Sequence, residues 1–123
     1  MTNRSTINIE KLAEKYYGRM NDCSAGAFLK GPCGDEMEIY IDIENNKIVD
    51  IKVFTDGCEY TRTCGVTMAS MAHHKTIYEA MGISAKDVLD NCPTIPDDHT
   101  HCNILAVSVL YRAIASYLLT RNS

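Results

Sequence analysis

The chain has 123 residues, with 12 Lys+Arg against 16 Asp+Glu and a formal net charge of −4. Hydrophobic residues make up 46% and charged residues 23%, enough apolar matter for one compact core, which excludes a disordered tail. The mild acidity, with no cluster of Lys and Arg, excludes a nucleic-acid surface.

No run approaches the roughly 18 apolar residues of a bilayer span, so no membrane segment is expected. The opening Met1-Thr2-Asn3-Arg4-Ser5-Thr6 lacks the apolar core of a secretory signal, which predicts a cytoplasmic chain.

The elements follow in chain order. Ile9, Leu12, Ala13, Tyr16, Tyr17 and Met20 recur at helical spacing, and Asn8 is a plausible N-cap. A break at 21–26 leads to a short apolar piece, Ala27-Phe28-Leu29, and the turn Gly31-Pro32-Cys33-Gly34-Asp35. From Met37 the period changes to two: Met37, Ile39, Ile41 and Ile43 alternate with polar residues. Asn45-Asn46 suits the positive φ angles of a tight hairpin turn, and a second strand returns through Ile48, Val49, Ile51, Val53 and Phe54.

The remainder reads as helical. One helix is expected from about Thr61 to His73, a short one after Thr76 and another after Ser84, whose following residues resemble an acidic first turn. Pro93 and Pro96 break the chain before a long helix starting near Thr100, with Ile104, Leu105, Leu110, Tyr111, Ile114, Tyr117 and Leu118 as its apolar share. With no internal repeat and no long linker, one domain over 1–123 is expected, of the α+β class, a sheet packed against a helical layer.

Six cysteines (Cys23, Cys33, Cys58, Cys64, Cys92 and Cys102) leave three readings open: a disulfide framework, a metal or cluster site, or small buried residues. Cys33, Cys58 and Cys102 fall in turns or at the start of a helix. In an antiparallel hairpin the start of the first strand and the end of the second share one end of the sheet, which draws residues 33 and 58 together. A final helix docked with its N-terminus at that end adds Cys102 and His101, with Asp35 nearby. Thiolates and imidazole suit zinc or cluster iron, and a helix N-terminus favours a first-turn thiolate. Asp35 adds a hard oxygen that would hold iron loosely, as transfer requires.

Taken together, Gly31-Pro32-Cys33-Gly34-Asp35, Asp56-Gly57-Cys58 and His101-Cys102-Asn103-Ile104-Leu105-Ala106 resemble the iron–sulfur cluster assembly scaffold family, the IscU type and the N-terminal domain of NifU. The resemblance runs from about Ile9 to Leu118. It implies a three-stranded antiparallel sheet with helices, and an assembly site made of Cys33, Asp35, Cys58, His101 and Cys102. It implies a scaffold rather than a turnover enzyme, building a transient [2Fe–2S] cluster from iron and persulfide sulfur. Its implied partners are a cysteine desulfurase and apo acceptor proteins. Within that reading Cys102 is the expected first sulfur acceptor, on an exposed turn at a helix N-terminus. Cys33 and Cys58 share the iron, His101 ligates or orients, and Asp35 keeps one iron exchangeable.

The chain departs from the family in places. Thr94-Ile95-Pro96-Asp97-Asp98-His99 replaces the run that serves as the handle for an Hsp70-type chaperone, so the resemblance gives no support for that partner. His99 stands where the family has a lysine, with a role in proton or sulfur transfer left open. Glu59-Tyr60-Thr61-Arg62-Thr63-Cys64 replaces small residues after the second cysteine. Cys64 shares a helical row with Met68 and Met71 and is expected in the core, with an accessory ligand or relay role as the alternative. Cys23 and Cys92 are expected bystanders, His73-His74 a solvated helix end, and Arg62 a partner in a surface ion pair. The stretch between Cys58 and Cys102 is closer to the uninserted scaffold than to the zinc-binding SufU branch. Two rival functions stay open: a zinc-bound sulfur acceptor that stimulates a desulfurase, and a zinc-stabilised binding module.

Overall fold

The computed structural model describes residues 8–31, 34–93, 95–96 and 101–120. The N-terminal stretch read for localisation, Cys33 and His99 lie outside the described residues.

Asn8 caps α1 (Ile9–Tyr16), its side chain accepting from the Lys11 backbone N–H at 3.1 Å. The helix stops short of the expected Met20. Tyr17 leaves helical geometry, and the Gly18 N–H donates to the Val53 carbonyl at 2.7 Å, tying the chain to the sheet instead. The apolar piece around Phe28 becomes an edge strand, β1 (Ala25–Lys30). It pairs antiparallel with β2 (Glu36–Glu44), which pairs antiparallel with β3 (Lys47–Thr55), in the order β1-β2-β3.

The period of two in β2 translates directly into burial. Met37, Ile39 and Ile41 are fully buried, and the intervening residues are not. Asn45 and Asn46 take φ of 53° and 63° at the hairpin turn, as their position predicts. Between Asp42 and Ile43 the register shifts, a bulge the alternation alone does not reveal.

The buried face of this sheet carries the helices. They are α2 (Glu59–Ala72), α3 (Ile77–Ala80), α4 (Ala85–Asn91) and α5 (His101–Thr120). α5 lies on β1 and β2, α2 lies on β3 beside α5, α1 leans on α2 and β3, and α4 closes against α5 and α2. Gly65 allows the close approach of α2: a Cβ there would stand 3.1 Å from the Met37 methyl and 3.3 Å from Val53. The architecture is therefore a small three-stranded antiparallel sheet under a layer of helices, as expected.

Both short helices start at reciprocal caps. Thr76 and Glu79 form one, and Ser84 and Asp87 the other, each side chain bonding the other residue's backbone N–H. Ser84→Ala is expected to cost about 1 kcal/mol, read as a lower denaturant midpoint at unchanged slope.

Two expectations are corrected here. α5 has 20 residues and a mean hydropathy of 1.6 over its most apolar window, so a run of bilayer-spanning length and apolarity does exist. Half of that window is buried, where α5 packs on β1, β2, α2 and α4. Ile104, counted among the apolar share of α5, is instead 57% exposed: Leu105, Leu110 and Ile114 take the core-facing row.

His73 is held rather than solvated. Its Nε2–H donates to the Val49 carbonyl at 3.0 Å, and its Nδ1 lies 2.8 Å from the Tyr16 hydroxyl. Through these two contacts the imidazole clamps α1, α2 and β3 together. Arg62 does not join an ion pair among the described residues, and its guanidinium stands over the Tyr17 ring at 5.7 Å.

Candidate metal and thiol site

The two sheet-end turns and the α5 tip meet as the hairpin geometry requires. Met37 of β2 pairs with Thr55 of β3, so the turn before β2 and the turn after β3 are neighbours. Gly34, at φ 91°, lets the first turn close, with the Gly31 N–H donating to the Asp35 carbonyl at 2.7 Å. The Thr55 hydroxyl donates to the Glu36 carbonyl and accepts from the Gly57 N–H at 3.0 Å, lacing the second turn to the first.

Against this frame Asp35, Cys58 and Cys102 each offer one ligand atom, and the three atoms lie within 4.8 Å of one another. Asp35 is half-buried, Cys58 exposed and Cys102 only 1% exposed. The site thus has an open lip and a buried floor. A carboxylate and two thiols within that span fit a thiophilic divalent ion or cluster iron.

At the centre sits a residue that the sequence reading passed over as a mere departure from its family. The Thr61 hydroxyl donates to Asp35 Oδ2 at 2.6 Å and lies 3.3 Å from Cys102 Sγ and 3.5 Å from Cys58 Sγ. Thr61 is fully buried in the first turn of α2. One hydroxyl carries one proton, so the carboxylate and the two sulfurs compete for it. The available signal was the spacing: Cys58 is the N-cap of α2 and Thr61 stands three residues on, on the same face.

The two thiols differ in character. Burial pushes the Cys58 thiol up, but the Thr61 hydroxyl and the backbone N–H groups of Thr61 and Tyr60 outweigh it and hold the thiol below its ordinary range. Cys102 moves the other way: burial dominates, the negative charges of Cys58 and Asp35 add to it, and the Thr61 hydroxyl opposes. The expectation of an exposed turn at Cys102 is therefore corrected. The side chain at the second position of α5 turns inward onto the core, and Cys58 combines exposure with a helix N-terminus.

A pH dependence follows. A lowered pKa puts Cys58 in the thiolate form at lower pH than Cys102. Iodoacetamide should alkylate Cys58 of the metal-free protein at least several-fold faster near pH 7, the gap narrowing as pH rises. Thr61→Val should slow Cys58 selectively, as read by peptide mass spectrometry.

His101 opens α5 one residue before Cys102, but it stands outside the compact trio. It lines a neighbouring groove with Leu29, Lys30, Gly31, Ile104 and Leu105. Cys64 and Cys92 are fully buried behind the site, and Cys23 is half-buried. Cys92 packs in the core.

Fold and site together define a class: α+β proteins that present thiols and a carboxylate at one end of a small antiparallel sheet. The family model for the NifU-like N terminal domain matches residues 11–123, and the chain belongs to that family. It is 37% identical over 101 residues to iron-sulfur cluster assembly scaffold protein IscU 1 of Archaeoglobus fulgidus, which covers 81% of this chain. The match amounts to 66% of that relative's own length. Iron sulfur cluster assembly protein 1 of Trachipleistophora hominis is 30% identical over 79% of this chain and 70% of its own. Among solved structures, an iron-sulfur cluster assembly scaffold protein for the SUF system from Fervidobacterium islandicum superposes with a TM-score of 0.67. That match covers 86% of this chain and 93% of the other at 20% identity, a likeness of fold.

Proposed function

We propose that this protein is an iron–sulfur cluster assembly scaffold acting as one NifU-N/IscU-like domain. It receives persulfide sulfur and iron, builds a labile [2Fe–2S] cluster as its cargo, and passes it to apo acceptor proteins. The observation that carries this reading is the trio of Asp35, Cys58 and Cys102, gathered within 4.8 Å around the Thr61 hydroxyl beneath an open lip. A relative named as an iron-sulfur cluster assembly scaffold protein and another named as an iron sulfur cluster assembly protein support it.

In this reading Cys58 is the entry point for sulfur, in place of the expected Cys102. An incoming persulfide needs an accessible thiolate to attack its outer sulfur, and Cys58 is exposed and acidified. Cys102 forms the floor ligand, Asp35 the exchangeable oxygen ligand, and Cys33 and His101 complete the set by their motif positions. Cargo held partly by carboxylate leaves readily, because iron prefers thiolate over carboxylate in a cluster shell. The partners are a cysteine desulfurase and the acceptors.

Anaerobic reconstitution with iron, cysteine and a desulfurase tests the reading. The expected result is the visible absorption of a cluster, with iron and acid-labile sulfide in equal amounts. A colourless protein holding tightly bound zinc, and taking up persulfide without building a cluster, would favour the zinc-bound sulfur acceptor instead. Asp35→Ala is expected to lengthen the life of the reconstituted cluster several-fold during transfer to an apo-ferredoxin. An unchanged lifetime would remove the labilising role from Asp35.

A further inference from the structure

Behind the trio, two thiols that the scaffold reading leaves unused face each other. Cys64 lies on α2 one turn beyond Thr61, and Cys92 closes α4. Both are fully buried, and the Cys92 thiol donates to Cys64 Sγ across 4.0 Å. Cysteine is a serviceable small apolar filler, but filling space does not call for two sulfurs in contact. Thr61, one turn before Cys64 on α2, has its hydroxyl 3.3 Å from Cys102 Sγ, so the fully buried pair stands on the inner side of the site, beyond exposed Cys58 and buried Cys102.

A scaffold that accepts persulfide meets a shortage of electrons. Sulfane sulfur arrives at oxidation state zero, whereas a cluster needs sulfide, so two electrons per sulfur must come from somewhere. We propose that Cys64 and Cys92 are an internal dithiol that reduces persulfide sulfur at the site to sulfide and is itself oxidised to a disulfide; this rests on the scaffold reading above.

The steps balance. Sulfane sulfur on Cys58 exchanges to Cys102 within the trio: the Cys102 sulfur bonds the outer sulfur and Cys58 leaves as a thiol. The Cys64 sulfur then attacks Cys102 Sγ, the sulfur–sulfur bond of the persulfide breaks, and its outer sulfur departs with the Cys64 proton as hydrogen sulfide. Cys92 next attacks Cys64, forming the Cys64–Cys92 disulfide and returning Cys102 as a thiol that takes the Cys92 proton. Persulfide plus two thiols becomes thiol, disulfide and hydrogen sulfide. A small external dithiol of the dithiothreitol type resets the pair for another round.

The test uses the full chain, reduced, metal-free and anaerobic. It is loaded either by cysteine with a desulfurase or by inorganic polysulfide, then freed of small molecules by gel filtration. The expected result without added reductant is about one sulfide released per loaded chain, with a Cys64–Cys92 disulfide found by peptide mapping. Cys64→Ala should release sulfide at least ten-fold more slowly. Cys92→Ala should release it and stop as a Cys64–Cys102 disulfide, a trapped species that a purely structural role for Cys92 would not produce. Loaded chains that keep their sulfane sulfur with Cys64 and Cys92 still alkylatable would overturn the proposal. So would a Cys64→Ala protein that matches the wild type, or a disulfide confined to the site cysteines. If Cys64→Ala does not fold, the trapped species in Cys92→Ala decides, its absence counting against the dithiol. Should neither donor load sulfur on Cys58 or Cys102, the scaffold reading fails first and the dithiol role falls with it.

Discussion

Gly57→Ala is expected to lower the affinity of the site for a divalent ion about ten-fold while leaving the fold intact. A Cβ at position 57 would stand 2.9 Å from Asp35 Cγ and 3.2 Å from Asp35 Cβ and Oδ1. Gly57 does not occupy the left-handed region of backbone space, so alanine is conformationally acceptable there, and the three nearest atoms to the new Cβ all belong to Asp35. That neighbour has little room to yield, because its other carboxylate oxygen is fixed by the Thr61 hydroxyl at 2.6 Å. The carboxylate must swing away from the two sulfurs, and a three-atom ligand set becomes a two-thiol set. Competition of Zn²⁺ between the protein and a chromophoric chelator gives the affinity, and the thermal midpoint checks the fold. Wild-type affinity in the variant would show that the gap at Gly57 does not position Asp35.

Ile51→Ala is expected to be the costliest single truncation in the sheet, about 3 kcal/mol, lowering the thermal midpoint by roughly 10 °C. Ile51 is fully buried at the middle of β3 and pairs across the ladder with Ile41, itself fully buried. The helices above are already packed tightly where α2 passes over Val53 and Met37 through Gly65, so they cannot sink to fill the cavity. Chemical denaturation should show a lower midpoint at unchanged slope. A loss below about 1 kcal/mol would mean that the helical layer relaxes into the space after all.

These two positions differ in how readable they were. Ile51 belongs to a period-two pattern whose consequence, burial of alternate residues, needs nothing beyond the pleat of a strand. The same holds for the Asn45-Asn46 turn and for the caps at Asn8, Thr76 and Ser84, all found where the local chemistry puts them. The approach of the turn before β2 to the turn after β3 was legible too, since antiparallel pairing alone brings those ends together. The strand status of Ala25–Lys30 rested on resemblance, because an edge strand this short carries little alternation of its own. Family membership came from three short motifs in order, and the NifU-like match over residues 11–123 agrees with them.

Local sequence determined, then, which segments become strands and helices, where they turn, and that thiols and a carboxylate are carried to one end of the sheet. Docking of α2 and α5 decided the rest: that Cys102 faces inward at 1% exposure while Cys58 stays at the lip, that Thr61 sits between them, and that Cys64 meets Cys92. The division has one physical cause. Turn and cap preferences act between residues a few positions apart, whereas the exposure of a thiol and the partner of a hydroxyl depend on how two helices rotate and settle on a shared sheet, which only the packed core fixes.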